Sequence, residues 1–107
     1  NFDKKLYTQA IKEYELLIVK NYKPAYAHYM IAEMYYQRKN YANAITYYKK
    51  STSIYDKASY MPNLMLHSAI SMDNTGDANH AKVFYKAIIA KFPNSNEAKV
   101  AKKYLGL

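Results

Sequence analysis

An alanine followed four residues later by a tyrosine occurs three times, as Ala10/Tyr14, Ala44/Tyr48 and Ala81/Tyr85, at intervals of 34 and 37 residues. Four residues is about one helical turn, so each pair shares a helix face. A recurrence near 34 residues is the period of a two-helix unit that cannot bury its apolar face alone and must stack on its neighbours. The small residue lets two antiparallel helices approach at their crossing, and the aromatic fills the gap between neighbouring units. The pattern predicts an all-α chain of helix hairpins. Arrays of this kind bind other molecules more often than they catalyse.

Composition agrees with helices and narrows the function. The 107 residues suffice for one domain, half are hydrophobic, and only two Gly and three Pro interrupt them. Fourteen tyrosines supply bulk while keeping a hydroxyl at the edge of the packing. The chain has no cysteine, which removes disulfides, thiolate zinc sites and cysteine nucleophiles from consideration. No apolar run reaches the length of a membrane span, and no signal-peptide pattern is present. The chain starts at Asn1 within a repeat, which reads as a mature or excised fragment. A formal net charge of +8 can attract nucleic acid, anionic lipid or an acidic partner. The lysines are dispersed, however, and Arg38 is the one arginine, poor equipment for reading phosphates or base edges, so nucleic acid is not an expected partner.

Aligning the three alanines sets out the elements. Residues 6–20 carry Ala10, Ile11, Tyr14, Leu17 and Ile18 on one face. Pro24 opens a second helix to about residue 38, Asn40-Tyr41 makes a turn, and a third helix covers 42–54. Pro62 opens a fourth, ending at Gly76, where positive φ favours glycine. Asp77 caps a fifth over 78–91, and Ser95 or Asn96 caps a short last helix over 97–105. Residues 1–22 are therefore an incomplete repeat holding its second helix, 23–57 and 58–93 are full repeats, and 94–107 form a C-terminal capping helix.

Three segments together resemble a known family. Residues 26–36 (YAHYMIAEMYY), 60–66 (YMPNLML) and 92–105 (FPNSNEAKVAKKYL) are similar to the A-x-Y-W-L-G-E-x-Y-Y, K-A-P-D-A-L-L-K-L-G and closing Y-P-x-S-x-A-A-x-x-A-K-x-x-L segments of one family. That family is the C-terminal tetratricopeptide (TPR) domain of the Tol-Pal system protein YbgF, also called the cell-division coordinator CpoB. Met30 stands where that family has Trp, and Lys39 where it has the turn Gly. The resemblance implies a right-handed α-solenoid of antiparallel hairpins with about six helices. It implies a periplasmic location, binding of a TolA segment, and coordination of peptidoglycan synthesis with outer-membrane constriction. It also implies trimers formed through an N-terminal coiled coil outside this segment.

The first helix of each repeat is expected on the concave side of such an array. The repeat register places Tyr26, Tyr29, Met30, Glu33, Tyr36 and Gln37 there, and Asn63, Leu66, His67, Ile70, Asp73 and Asn74 in the next repeat. A groove with aromatic anchors and polar orienters suits a peptide or helix. Tyr35 and Tyr48 are assigned to the core instead. Glu33 would repel a peptide carboxylate. The stretch 73–77 (DNTGD) reads as a helix-ending turn, because Phe84 occupies the bidentate position of a calcium loop. His28, His67 and His80 have no metal-ligand spacing, and Ser68 and Ser71 lack an oxyanion hole. The expectation is a non-catalytic module with no cofactor or metal. A helical-repeat subunit of another envelope assembly, contacting partners through Lys49, Lys82 and Lys86, is the alternative.

Overall fold

A computed structural model describes residues 4–107, with side chains from Leu6 onward. Among the described residues it contains six helices and no strand: α1 Lys4–Val19, α2 Pro24–Gln37, α3 Tyr41–Ile54, α4 Met61–Asn74, α5 Ala78–Lys91 and α6 Asn96–Tyr104. Contacts divide the chain into two compact units, Asn1–Asp56 and Lys57–Leu107. In the first, α2 packs on both α1 and α3; in the second, α4 and α5 pair and α6 packs on both. The expected start of the incomplete repeat, at residues 1–3, lies outside the described residues.

Local chemistry explains the boundaries. Pro24 occupies the first turn of α2, where its missing N–H leaves no bond unmade. Pro62 is the second residue of α4 rather than its first, since Met61 already turns helically. The Asp77 carboxylate accepts the His80 backbone N–H at 3.3 Å, and the Ser95 hydroxyl accepts that of Ala98 at 3.0 Å. Each of these caps satisfies a donor that the first helical turn leaves over.

Four helices end alike. In the α2–α3 turn the Asn40 N–H donates to the Tyr35 carbonyl and the Lys39 N–H to that of Tyr36, at 2.8 and 2.9 Å. Matching pairs close α1 at Asn21/Tyr22, α4 at Gly76/Asp77 and α6 at Gly106/Leu107. This is the Schellman motif, which needs a left-handed residue just past the helix. Gly76 and Gly106 take φ of 85° and 77°, while Asn21 and Lys39 are forced to 55° and 61°. The α2–α3 turn thus lies at residues 38–40, one residue earlier than Asn40-Tyr41, because Lys39 adopts the conformation expected of glycine. Likewise α4 stops at Asn74, with Gly76 two residues beyond it.

The repeated pair forms the centre of each hairpin. Ala44 and Ala81 are fully buried, and Tyr48 and Tyr85 are 1% exposed. The pair on α1 differs. Ala10 and Tyr14 are only half-buried, since among the described residues α1 packs on α2 alone.

Candidate functional site

In the first unit, the ring of Tyr29 on α2 sits 6.2 Å from that of Tyr48 on α3, and both hydroxyls turn toward the same carboxylate. Tyr29 donates to Glu33 Oε1 at 2.8 Å and Tyr48 to Oε2 at 2.6 Å. Glu33 is half-buried, so these charge-assisted bonds replace water it has lost. Burial pushes the Tyr48 phenol far above its ordinary pKa, and the adjacent Glu33 carboxylate pushes it further. Nearby, the Ser51 hydroxyl donates to the Ala25 carbonyl at 2.6 Å, joining α3 to the start of α2.

The structure places the twelve expected groove positions unequally. Tyr29 is 8% exposed and serves the hairpin interior. Leu66, at 7%, is likewise buried. Neither offers surface to a partner. Glu33 is engaged by two phenols rather than directed outward. Its spacing of four from Tyr29 was the sequence signal for that bond. On α2 the accessible part of the strip is Tyr26, 42% exposed, with half-buried Met30 and Tyr36 and exposed Gln37. Tyr26 meets Tyr14 edge-on at 6.4 Å, and Tyr36 meets Tyr41 edge-on at 5.9 Å. These contacts restrict the two rings, reducing the rotamer freedom lost when something docks.

Of the two tyrosines assigned to the core, Tyr48 lies there, whereas Tyr35 is half-buried and stacks on Tyr47 at 5.6 Å. The ring of Tyr47 also carries the Lys50 ammonium, 4.8 Å from its centre. His28 lies beside it at 5.9 Å. The imidazole Nδ1 lies 2.8 Å from the Pro24 carbonyl, which only accepts, so that nitrogen is the protonated one.

The second unit repeats the scheme with a shift. Tyr85 donates to Asp73 Oδ2 at 2.9 Å, so an exposed carboxylate at the end of α4 takes the role of Glu33. Tyr85 stacks on Tyr104 of α6 at 5.0 Å and 8°. Asn63, His67 and Ile70 are half-buried, and Asn74 is exposed with its amide donating to the Ile70 carbonyl at 2.8 Å. Ser71 is fully buried and its hydroxyl has no hydrogen-bond partner, so no Ser–His pair forms with His67.

Two models described as tetratricopeptide repeat match the sequence, one over residues 25–58 and the other over 64–95. Together they span well over half of the chain. The chain belongs to the tetratricopeptide-repeat family. A search of curated proteins gave no match. Tetratricopeptide repeats are protein–protein interaction modules, and that is the function class of this chain. Among the described residues no helix is long and apolar enough to cross a membrane. In the first unit Ala44 and Tyr48 on α3 are buried, while Tyr26 on α2 is exposed and Met30 and Tyr36 are half-buried.

Proposed function

We propose that this tetratricopeptide chain is a periplasmic, non-catalytic adaptor of the Tol-Pal type. It binds a TolA-like partner segment on α2, the first helix of its first full repeat, and helps coordinate peptidoglycan synthesis with outer-membrane constriction. The three-segment resemblance supports the system. The observation that carries the docking surface is the ordered strip Tyr26, Met30, Tyr36 and Gln37 on α2, backed by the Tyr29–Glu33–Tyr48 lock. Exposed, pre-ordered tyrosines are the side chains that dominate binding energy at protein interfaces. The test combines Tyr26→Ala with Tyr36→Ala and titrates the variant against the purified periplasmic part of TolA. We expect affinity to fall about tenfold or more while far-UV circular dichroism stays unchanged. Undiminished affinity in the folded variant overturns the reading.

A second reading, an assembly subunit that meets its partners through lysines, is favoured by Lys49, Lys82 and Lys86, which are exposed and make no ion pair among the described residues. Raising the salt concentration distinguishes it. Contacts between exposed charges weaken steeply, whereas tyrosine burial does not.

A further inference from the structure

The last hairpin carries a cleft that the repeat signature does not use. Lys82, Lys86 and Ile89 follow one another along one face of α5, and Leu105 and Leu107 form the facing wall, around a volume of about 420 Å³. That volume falls within the range of ligand-sized clefts. Its far wall is held in place. The Leu107 N–H donates to the Lys102 carbonyl at 2.8 Å and the Gly106 N–H to that of Lys103 at 3.1 Å, folding the chain back after α6. Val83, next to Lys82, is 61% exposed. Neither lysine has an ion-pair or hydrogen-bond partner among the described residues, and α5 contains no Asp or Glu.

We propose that this cleft is a second docking site, for an acidic segment of a partner protein that inserts one aliphatic or aromatic side chain. An uncharged apolar group entering here strips water from two ammonium groups and gives nothing back. An acidic but wholly polar segment leaves the Ile89/Leu105/Leu107 wall wet. Only a ligand carrying both features satisfies both walls, and charge complementarity also orients it. Ile89, Leu105 and Leu107 line an open cleft that accommodates one projecting side chain beside the two lysines. This site is separate from the first-helix strip and uses neither Tyr26 nor Tyr36.

The probe is a short fluorescein-labelled peptide with a central leucine flanked by glutamates, titrated against the whole chain by fluorescence anisotropy. Replacing the leucine by serine should weaken binding roughly tenfold or more, the effect of leaving one large apolar side chain unburied. Lys82→Glu with Lys86→Glu, and in parallel the milder Lys82→Ala with Lys86→Ala, should also lower affinity, the first by at least about tenfold. Tyr26→Ala with Tyr36→Ala should leave this affinity unchanged, which separates the fate of this site from that of the TolA-like strip. The proposal is overturned if the serine peptide binds equally well, or if the folded lysine variants bind as the parent does. It is equally overturned if the peptide fails to bind, and Lys82- and Lys86-dependent binding of anionic phosphatidylglycerol vesicles in that case assigns the cleft to a membrane surface instead.

Discussion

At the scale of single residues, the tyrosine–carboxylate bonds are the points where chemistry decides stability. Tyr48 and Tyr85 occupy the same repeat position and both donate to an acid on the preceding helix, but Glu33 is half-buried and Asp73 is exposed. Removing the Tyr48 hydroxyl leaves a carboxylate short of a donor where water enters poorly. Removing that of Tyr85 leaves one that water re-solvates. Tyr48→Phe should therefore cost about 1–3 kcal/mol in urea denaturation, and Tyr85→Phe less than about 1 kcal/mol. Equal costs would show that burial of the acceptor is irrelevant. The same phenol sets an alkaline limit. Its folded pKa lies well above the ordinary value of 10.0, so below that pH both folded and unfolded chains keep the proton. Above it the unfolded chain releases the proton and the folded one retains it. Stability is thus fully present below pH 10 and declines as pH rises, by about 1.4 kcal/mol per pH unit for this group. Denaturation midpoints from pH 9 to 12 should fall less steeply in Tyr48→Phe.

At the scale of elements, the helix ends form a natural comparison. Lys39 and Gly76 hold equivalent left-handed positions after α2 and α4, with φ of 61° and 85°. A side chain there crowds the following carbonyl, at about 1–2 kcal/mol. Lys39→Gly should raise stability by up to about 1 kcal/mol, after allowing for glycine's greater freedom in the unfolded chain. Gly76→Ala should lower it by a similar amount, although nothing lies within 4 Å of the added carbon, so any loss reports the backbone alone. Thermal denaturation of the two variants with opposite shifts is the expected result. Same-sign shifts would reject the equivalence. The helices themselves were legible because proline, Asp77, Ser95 and the glycines act locally. Lys39 was legible as a turn position only through the resemblance, which has glycine there; the lysine itself carries no such signal, and its neighbours' hydrogen bonds hold it left-handed. The strip on α2 was half legible. Helical period assigns a residue to a face, but how far the covering helix reaches over that face depends on α3, and its reach takes Tyr29 inside while leaving Tyr26 out.

At the scale of the whole molecule, charge governs two quantities in opposite directions. The sequence carries +8, and among the described residues no lysine side chain makes an ion pair, while the His80–Asp77 contact lies on the surface. The folded state therefore holds its ammonium groups closer together than the unfolded chain does, with little local compensation. Added salt shortens the screening length from about 30 Å at 0.01 M to about 8 Å at 0.15 M, which relieves this repulsion. Stability should rise on the order of 1 kcal/mol between those concentrations, read as a higher urea midpoint with an unchanged slope. The same screening weakens any acidic segment held by Lys82 and Lys86. Binding through Tyr26 and Tyr36 rests on apolar burial and should move little. A salt series measuring the urea midpoint, acidic-peptide affinity and TolA affinity on one preparation should thus give a rise, a fall and a near-constant value. A fall in the midpoint would mean that attractions, not repulsions, dominate the charge distribution, and would remove the electrostatic basis of the lysine-lined cleft.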